Sequence, residues 1–198
     1  SSQVHASEYL ELYRQVAEEG YTDLIHVSLN GKGSGTYQAA VTGRELALAE
    51  DPERKIFVLD SRSTAGGMAL LLRKAAALYE AGRPFEEICD ILTTYRDNLR
   101  TCFTLMSFHN LVQAGRMKPI TGALLQTLGI HVIAQATPEG SISVAGKARG
   151  EVKTYQAIVE QMKKSKNCRG AQVSVPHSEN LVGLVRLKDH NLKDRPVR

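Results

Sequence analysis

The stretch from Asp23 to Tyr37 constrains the fold of this chain more than any other part of the sequence. It opens with a short apolar run, Leu24–Leu29, which is typical of a buried strand. The residues from Asn30 to Gly33 favour a turn, and a helical pattern begins at Tyr37. A strand, a glycine-rich turn and a helix start, in this order, predict an α/β protein. Such a turn presents backbone N–H groups and the positive end of a helix dipole to an anion.

The segment Ser34-Gly35-Thr36 lies between this turn and the helix, and it matches none of three familiar motifs. A Walker A loop would end in Gly-Lys-Ser/Thr, and a dinucleotide fingerprint needs a later glycine. A nucleophile elbow would need glycine at Lys32 and Thr36. The hydroxyls of Ser34 and Thr36 suit a phosphate or a carboxylate. The alternative is a plain strand-to-helix turn in which Ser34 or Thr36 caps the helix.

The first half of the chain alternates strands and helices up to about residue 99, which predicts parallel strands. A second apolar strand begins at Lys55 and ends in the polar residues Asp60 and Ser61. Because ligands of open α/β sheets lie at the carboxyl ends of strands, we expect Asp60, Ser61 and Ser63 near the Ser34 loop. The alternative for Ser61 and Ser63 is capping of the next helix.

The second half changes character and predicts an α+β domain. We therefore expect an α/β domain with a partial parallel sheet over residues 1–100 and an α+β domain over residues 101–198. A hairpin-type turn, Thr137–Gly140, joins two of its predicted strands. The predicted strands are Thr101–Met106, Ile130–Ala136, Ser141–Ala145 and Ala171–Val175, and the predicted helices are Ser107–Ala114, Ile120–Leu128, Glu151–Lys164 and Glu179–Lys188.

Composition excludes several classes of protein. The net charge of +4 comes largely from terminal basic residues without interleaved aromatic side chains, so we expect no nucleic-acid partner. The sequence contains no run of about 18 apolar residues, so we expect neither a membrane span nor stable membrane insertion. Cys89, Cys102 and Cys168 form no Cys-x-x-Cys pair and suggest reduced thiols of a cytoplasmic protein. The spacing of the histidines indicates no metal site, and we expect no cofactor.

Several segments, in the same order along nearly the whole chain, resemble the DegV family of bacterial fatty acid-binding proteins. The family's Ser-Gly-Thr-Tyr loop, its Val-x-Asp-Ser strand end, its Gly-Gly-Arg-Ile segment and its Lys-x-Arg-Gly segment have counterparts here. The counterparts begin at Ser34, Val58, Ala114 and Lys147, and Ser1-Ser2-Gln3 resembles the family's Thr-Ser-Gln-Pro. The chain departs from the family at Ser1 and Val4, at Ala114, and at His131-Val132, where Lys-Pro is usual.

The resemblance implies a binding protein without catalysis of its own. It implies a long-chain fatty acid in an apolar tunnel between two domains, presented to a fatty acid kinase that phosphorylates its carboxyl group. The residues implied in carboxylate binding are Ser34, Gly35, Thr36, Ser1 and Ser2, and those implied in contacts with the kinase or the acyl phosphate are Arg116 and Arg149.

The residues alone leave a second function open. A phosphate-using enzyme could bind a nucleotide or a sugar phosphate at the Ser34 loop. Such an enzyme needs convergent titratable groups, whereas a carrier needs an apolar tunnel with one polar end. The sequence offers few titratable residues near the loop, which favours the carrier.

The resemblance also implies family segments before Ser1 and after Arg198. Parallel strands buried on both faces need neighbours, and two strands alone leave open edges. We therefore expect residues 1–198 alone to expose an apolar patch beside Leu24–Leu29 or Lys55–Leu59, or along the groove under Ser34, and to hold fatty acid poorly.

Overall fold

A computed structural model describes residues 3–105, 107–118, 129–164, 172–177 and 185. The chain forms two compact units. Unit 1 consists of Ser1–Leu99 together with Pro138–Gly140, and unit 2 consists of Arg100–Thr137 and Ser141–Arg198. The residues and elements that were predicted from sequence but lie wholly or partly outside the described residues are Ser1, Ser2, Met106, Ile120–Leu128, Cys168, Ala171 and Glu179–Lys188.

Unit 1 is an α/β arrangement, as predicted. Strands β1 (Asp23–Ser28) and β2 (Lys55–Asp60) pair in parallel, with Leu24 opposite Ile56 and Ser28 opposite Asp60. Among the described residues, each of these strands pairs only with the other. The elements of unit 1 are α1 (Ala6–Glu18), β1 (Asp23–Ser28), α2 (Thr36–Glu50), β2 (Lys55–Asp60), α3 (Ala65–Glu80) and α4 (Phe85–Asn98).

The side chains of β1 and β2 alternate between two hydrophobic clusters, as a strand period of two requires. Leu24, Ile56 and Val58 face a cluster built with α1 and α2. Their sequence neighbours face a cluster built with α3 and α4, in which Leu71 and Leu92 are fully buried. The strand residues Leu24, Ile25, Phe57 and Val58 stay partly exposed. The expected apolar patch and the poor retention of fatty acid by residues 1–198 alone stay predictions.

Helix ends in unit 1 follow local rules, with one difference from expectation. Gly20 and Gly82 follow α1 and α3 with φ of 92° and 68°, a conformation that favours glycine. Ser7 is of a residue type that favours the N-cap position and predicts a helix that starts just after it, but α1 begins at Ala6. The reason is a capping interaction at His5, whose N–H donates to Glu8 Oε2 at 2.8 Å.

Helices α1 and α2 approach closely at Gly43. A Cβ at this position would lie 2.6 Å from Tyr9 Cβ and 2.9 Å from the carbonyl oxygen of Ala6. Only glycine fits there without displacing α1. This contact fixes α1 against the helix that carries Thr36 at its first position.

Unit 2 is an α+β arrangement, as predicted. Its strands form an antiparallel sheet in the order β3-β4-β5. Strand β5 is longer than the predicted Ser141–Ala145, and β3 is shorter than the predicted Thr101–Met106. Within residues 172–177 only Val173 makes a strand-type bridge. The elements are β3 (Cys102–Thr104), α5 (His109–Gln113), β4 (Ile130–Ala136), β5 (Ile142–Arg149) and α6 (Glu151–Lys164).

His26 of β1 is partly buried and contacts two tyrosine side chains of α1. Its Nδ1 lies 2.8 Å from the hydroxyl of Tyr13, and the centroids of the His26 and Tyr9 rings lie 5.1 Å apart. Burial lowers the pKa of His26 and raises the pKa of Tyr13. The imidazole is therefore neutral in the folded protein at neutral pH.

We expect this burial to make stability sensitive to acid. The unfolded chain takes up a proton at His26 near the ordinary pKa of 6.5, whereas the folded chain takes it up only at lower pH. The stabilisation is present above about pH 6.5 and is lost as pH falls towards the folded-state pKa. Urea unfolding from about pH 7.5 to 5.5 should show a smaller loss of stability in His26→Gln than in wild type. Equal losses in both proteins would contradict this role of His26.

Candidate functional site

The candidate site is the loop of residues 30–36, which follows the carboxyl end of β1. Its first residue, Asn30, is buried, with 8% of its surface exposed. The Asn30 carbonyl accepts hydrogen bonds from the N–H groups of Gly33 and Ser34, both at 3.1 Å. These two bonds close the predicted turn, which leads directly to Ser34.

The backbone amides of this turn do not point to a ligand, which corrects the expectation from sequence. Gly31 N–H donates to Asp60 Oδ1 at 3.0 Å, and Lys32 N–H donates to Asn30 Oδ1 at 3.0 Å. The amides of Gly33 and Ser34 bind the Asn30 carbonyl. Because each amide has one hydrogen, these donors are already used within unit 1. An anion at this loop must rely on the hydroxyls and on the start of α2.

Ser34 and Thr36 form a hydroxyl pair at the start of α2. Ser34 Oγ and Thr36 Oγ1 lie 2.7 Å apart, and Ser34 Oγ accepts the Thr36 N–H at 3.2 Å. The helix begins at Thr36 with Gly35 as its N-cap residue, so neither Ser34 nor Thr36 occupies the cap position that the alternative predicts. The Ser34 hydroxyl nevertheless satisfies the first amide of the helix. Each hydroxyl carries one hydrogen, and their mutual bond uses only one of the two. The other hydrogen can be donated to a ligand, so this bond to the helix and ligand binding are compatible.

Gly35 leaves room for the side-chain amide of Gln3 and has an ordinary backbone conformation. Its φ of −70° is open to any residue. A Cβ on Gly35 would collide with the side chain of Gln3. The amino-terminal segment therefore passes against the loop. Ser1 and Ser2, which immediately precede Gln3, lie outside the described residues.

The end of β2 lies beside this loop, as the parallel pairing predicts. Asp60 Oδ1 accepts the N–H of Gly31 at 3.0 Å and the N–H of Arg62 at 2.9 Å. Asp60 thus holds two turns together and is not a free carboxylate.

Neither Ser61 nor Ser63 is the N-cap residue of α3, because Thr64 occupies that position. The Ser61 hydroxyl instead donates to the Ser63 carbonyl at 3.1 Å and accepts the Ser63 N–H at 3.2 Å. Arg62 adopts a left-handed conformation with φ of 49°.

The two arginines expected to contact the kinase or the acyl phosphate belong to unit 2, and both are exposed. Arg116 follows α5 and donates from Nη1 to the Ala114 carbonyl at 2.6 Å. Gly115 follows the end of this helix with φ of 71°, a conformation that favours glycine. Arg149 is the last residue of β5, opposite Ile130. Their proposed contacts stay predictions.

The described residues offer little for metal or thiol chemistry. They contain no group of three or more His, Cys, Asp or Glu side chains that could hold a metal ion. Burial raises the pKa of the Cys89 and Cys102 thiols to about 11, so both are protonated at neutral pH. No helix in the described part of the chain is long and apolar enough to cross a membrane.

Sequence reasoning missed Asn30 and Arg62 as organisers of the site. Asn30 Nδ2 donates to the carbonyl of Gly140 at 2.5 Å, and Arg62 Nη1 donates to the carbonyl of Pro138 at 3.2 Å. Both acceptors lie in the Pro138–Gly140 segment of unit 1. Asn before Gly signals a turn, but nothing local signals a partner 110 residues away.

Comparison with known proteins identifies the family. A family model described as an uncharacterised protein of the DegV family matches residues 1–197. A DegV domain-containing protein of Streptococcus pyogenes is 30% identical over 172 residues, which cover 87% of this chain and 59% of that protein. The chain therefore spans about three fifths of the length of this curated relative.

Two solved structures share the fold at low sequence identity. A DegV family protein from Eubacterium eligens loaded with heptadecanoic acid is 28% identical with a TM-score of 0.87, over 100% of this chain and 69% of that one. The Fatty Acid Kinase (Fak) B3 protein of Streptococcus pneumoniae, loaded with linoleic acid, is 27% identical with a TM-score of 0.87, over 97% of this chain and 66% of that one. These likenesses agree with the family match, and the chain belongs to the DegV family.

Proposed function

We propose that this chain binds a long-chain fatty acid and presents its carboxyl group to a fatty acid kinase. In this proposal Ser34 and Thr36 hold the carboxylate, Gly35 lets the loop backbone approach the ligand closely, and the acyl chain occupies an apolar tunnel. The observation that carries it is the hydroxyl pair at the start of α2, with one hydroxyl hydrogen left to donate. The fatty acid-loaded relatives support the choice of ligand, and the Fak B3 relative supports the choice of partner.

The chemistry of the loop suits a carboxylate that must react later. The positive end of the α2 dipole and a neutral hydroxyl donor stabilise the negative charge without a buried cation. A carboxylate held by such donors keeps an oxygen free to attack the γ-phosphorus of ATP, with ADP as the leaving group. The kinase supplies the nucleotide site and the protein supplies the positioned acid.

The remaining predicted contacts belong to the same proposal. Ser1 and Ser2 would add hydroxyl donors next to Gln3, whose side chain already packs over Gly35. Arg116 and Arg149 would contact the kinase or neutralise the acyl phosphate, because guanidinium groups bind phosphate oxygens well. Both arginine side chains are exposed, as such contacts require.

Reconstitution of the kinase reaction tests the proposal. The intact protein with ATP and heptadecanoic acid should yield no acyl phosphate, detected as the hydroxamate after trapping with hydroxylamine. Adding a purified fatty acid kinase should start the reaction, and the kinase with the acid but without this protein is the control. Turnover by the protein alone that is lost in Ser34→Ala would instead support a phosphate-using enzyme at this loop.

A further inference from the structure

We propose that Asn30 is a positioning residue that fixes Ser34 for the ligand by tying the loop to the Pro138–Gly140 segment. This inference rests on the proposed role of Ser34 in binding a carboxylate. Asn30 does not need to touch the ligand. It acts through the turn between itself and Ser34, whose geometry decides where the Ser34 hydroxyl lies.

The backbone of Asn30 joins neighbouring turns of unit 1. Its N–H donates to the Ser63 carbonyl at 3.1 Å, which ties the loop to the turn after β2. Its carbonyl accepts the amides of Gly33 and Ser34, which sets the path of the chain up to Ser34. Any residue except proline could make these backbone contacts, so they do not explain an asparagine.

The hydrogen bonds of the Asn30 side chain explain why this position holds an asparagine. Oδ1 accepts the Lys32 N–H at 3.0 Å, and Nδ2 donates to the Gly140 carbonyl at 2.5 Å. The first contact needs an acceptor and the second needs a donor, a combination that a side-chain amide provides. Because Asn30 is buried, losing either partner leaves a polar group without compensation from water.

Gly140 is suited to its contact with Asn30 by its backbone conformation and by its lack of a side chain. Its φ is +91°, which favours glycine, and a Cβ there would lie 3.1 Å from Asn30 Cγ and closer still to Asn30 Oδ1. The pair is therefore matched in both hydrogen bonding and shape. Because the Asn30 side chain contacts both Gly140 and the Lys32 N–H, the position of the Pro138–Gly140 segment affects the position of the Lys32–Ser34 turn.

A double-mutant cycle tests this coupling. Asn30→Asp keeps an acceptor for the Lys32 N–H but places an oxygen against the Gly140 carbonyl, so the hydrogen bond to Gly140 is lost. We expect Asn30→Asp to raise the Kd for heptadecanoic acid about tenfold in wild type and less than about twofold in the Ser34→Ala background. A merely structural role would produce the same fold-change in both backgrounds.

Matched controls distinguish the loss of the hydrogen bond between Asn30 and Gly140 from a general loss of stability. Asn98→Asp removes a similar bond, from Asn98 Nδ2 to the Thr94 carbonyl at 2.9 Å in α4, and should leave the Kd unchanged. Gly140→Ala repeats the test without changing Asn30, and it carries the cycle if Asn30→Asp does not fold. Gly82→Ala is its control, because Gly82 has φ of +68° but no neighbour within 4 Å of an added Cβ.

The outcomes distinguish the two proposals. Equal fold-changes in the wild-type and Ser34→Ala backgrounds, with Ser34→Ala itself weak, overturn the positioning role and leave the proposed function intact. Wild-type affinity in Ser34→Ala overturns the carboxylate role of Ser34, whatever Asn30→Asp does. A tenfold loss that disappears in the Ser34→Ala background, repeated by Gly140→Ala but not by Gly82→Ala, supports Asn30 as the positioning residue.

Discussion

Replacing Ser34 by alanine is expected to weaken the binding of heptadecanoic acid about 10- to 100-fold, because a hydrogen bond to a charged group contributes about 1.5–3 kcal/mol. The variant loses the hydroxyl that pairs with Thr36 Oγ1 and its proposed bond to the carboxylate. Displacement of a fluorescent fatty acid from the intact protein measures the change in Kd. The loop should stay folded, because the bonds between Asn30 and the Gly33 and Ser34 amides remain.

Ser107→Ala is the matched control for this prediction. The Ser107 hydroxyl accepts the N–H of His109 at 3.2 Å, the same local pattern that joins Ser34 to Thr36. Both variants lose this local bond, so a similar small change in stability is expected for each. Only Ser34→Ala should lose affinity. An unchanged Kd in Ser34→Ala, with Thr36 intact, would refute the carboxylate role of Ser34.

Replacing Leu71 by alanine is expected to destabilise unit 1 by about 2–5 kcal/mol. Leu71 is fully buried among the side chains of α3, α4 and the β1–β2 sheet, so the substitution leaves a cavity. Unfolding in urea, followed by circular dichroism, measures the loss as a lower midpoint at an unchanged slope.

The neighbouring residue is the control for the Leu71 prediction. Leu72 projects from α3 about 100° around the helix axis from Leu71 and is 50% exposed. Leu72→Ala should change the free energy of unfolding by no more than about 0.5 kcal/mol. Similar losses in the two variants would mean that Leu72 is covered in solution and that the assigned core of unit 1 is wrong.

The elements of the fold were predictable where the signal is local. The apolar runs at Leu24 and Lys55, and the glycines that end α1 and α3, act over a few residues and appear directly in the sequence. The alternation of strands and helices then favours parallel pairing, which β1 and β2 show. The start of α1 differed because His5 and Glu8 satisfy the helix end without Ser7.

The candidate site was predictable in its residue types but not in its hydrogen bonds. The sequence indicates a glycine-rich turn with hydroxyls, yet it does not show that Asp60 and Asn30 already accept the Gly31 and Lys32 amides. These partners depend on how separate turns meet in three dimensions. The same holds for the contact between Asn30 and Gly140, whose residues are 110 positions apart.

Native mass spectrometry of the gently purified, intact protein tests the central claim most directly. The account predicts a retained ligand with the mass of one long-chain fatty acid, released on denaturation and much reduced in Ser34→Ala. Ser107→Ala should retain the ligand as wild type does. A retained nucleotide or sugar phosphate in place of the fatty acid would contradict the account and support a phosphate-using enzyme at the Ser34 loop.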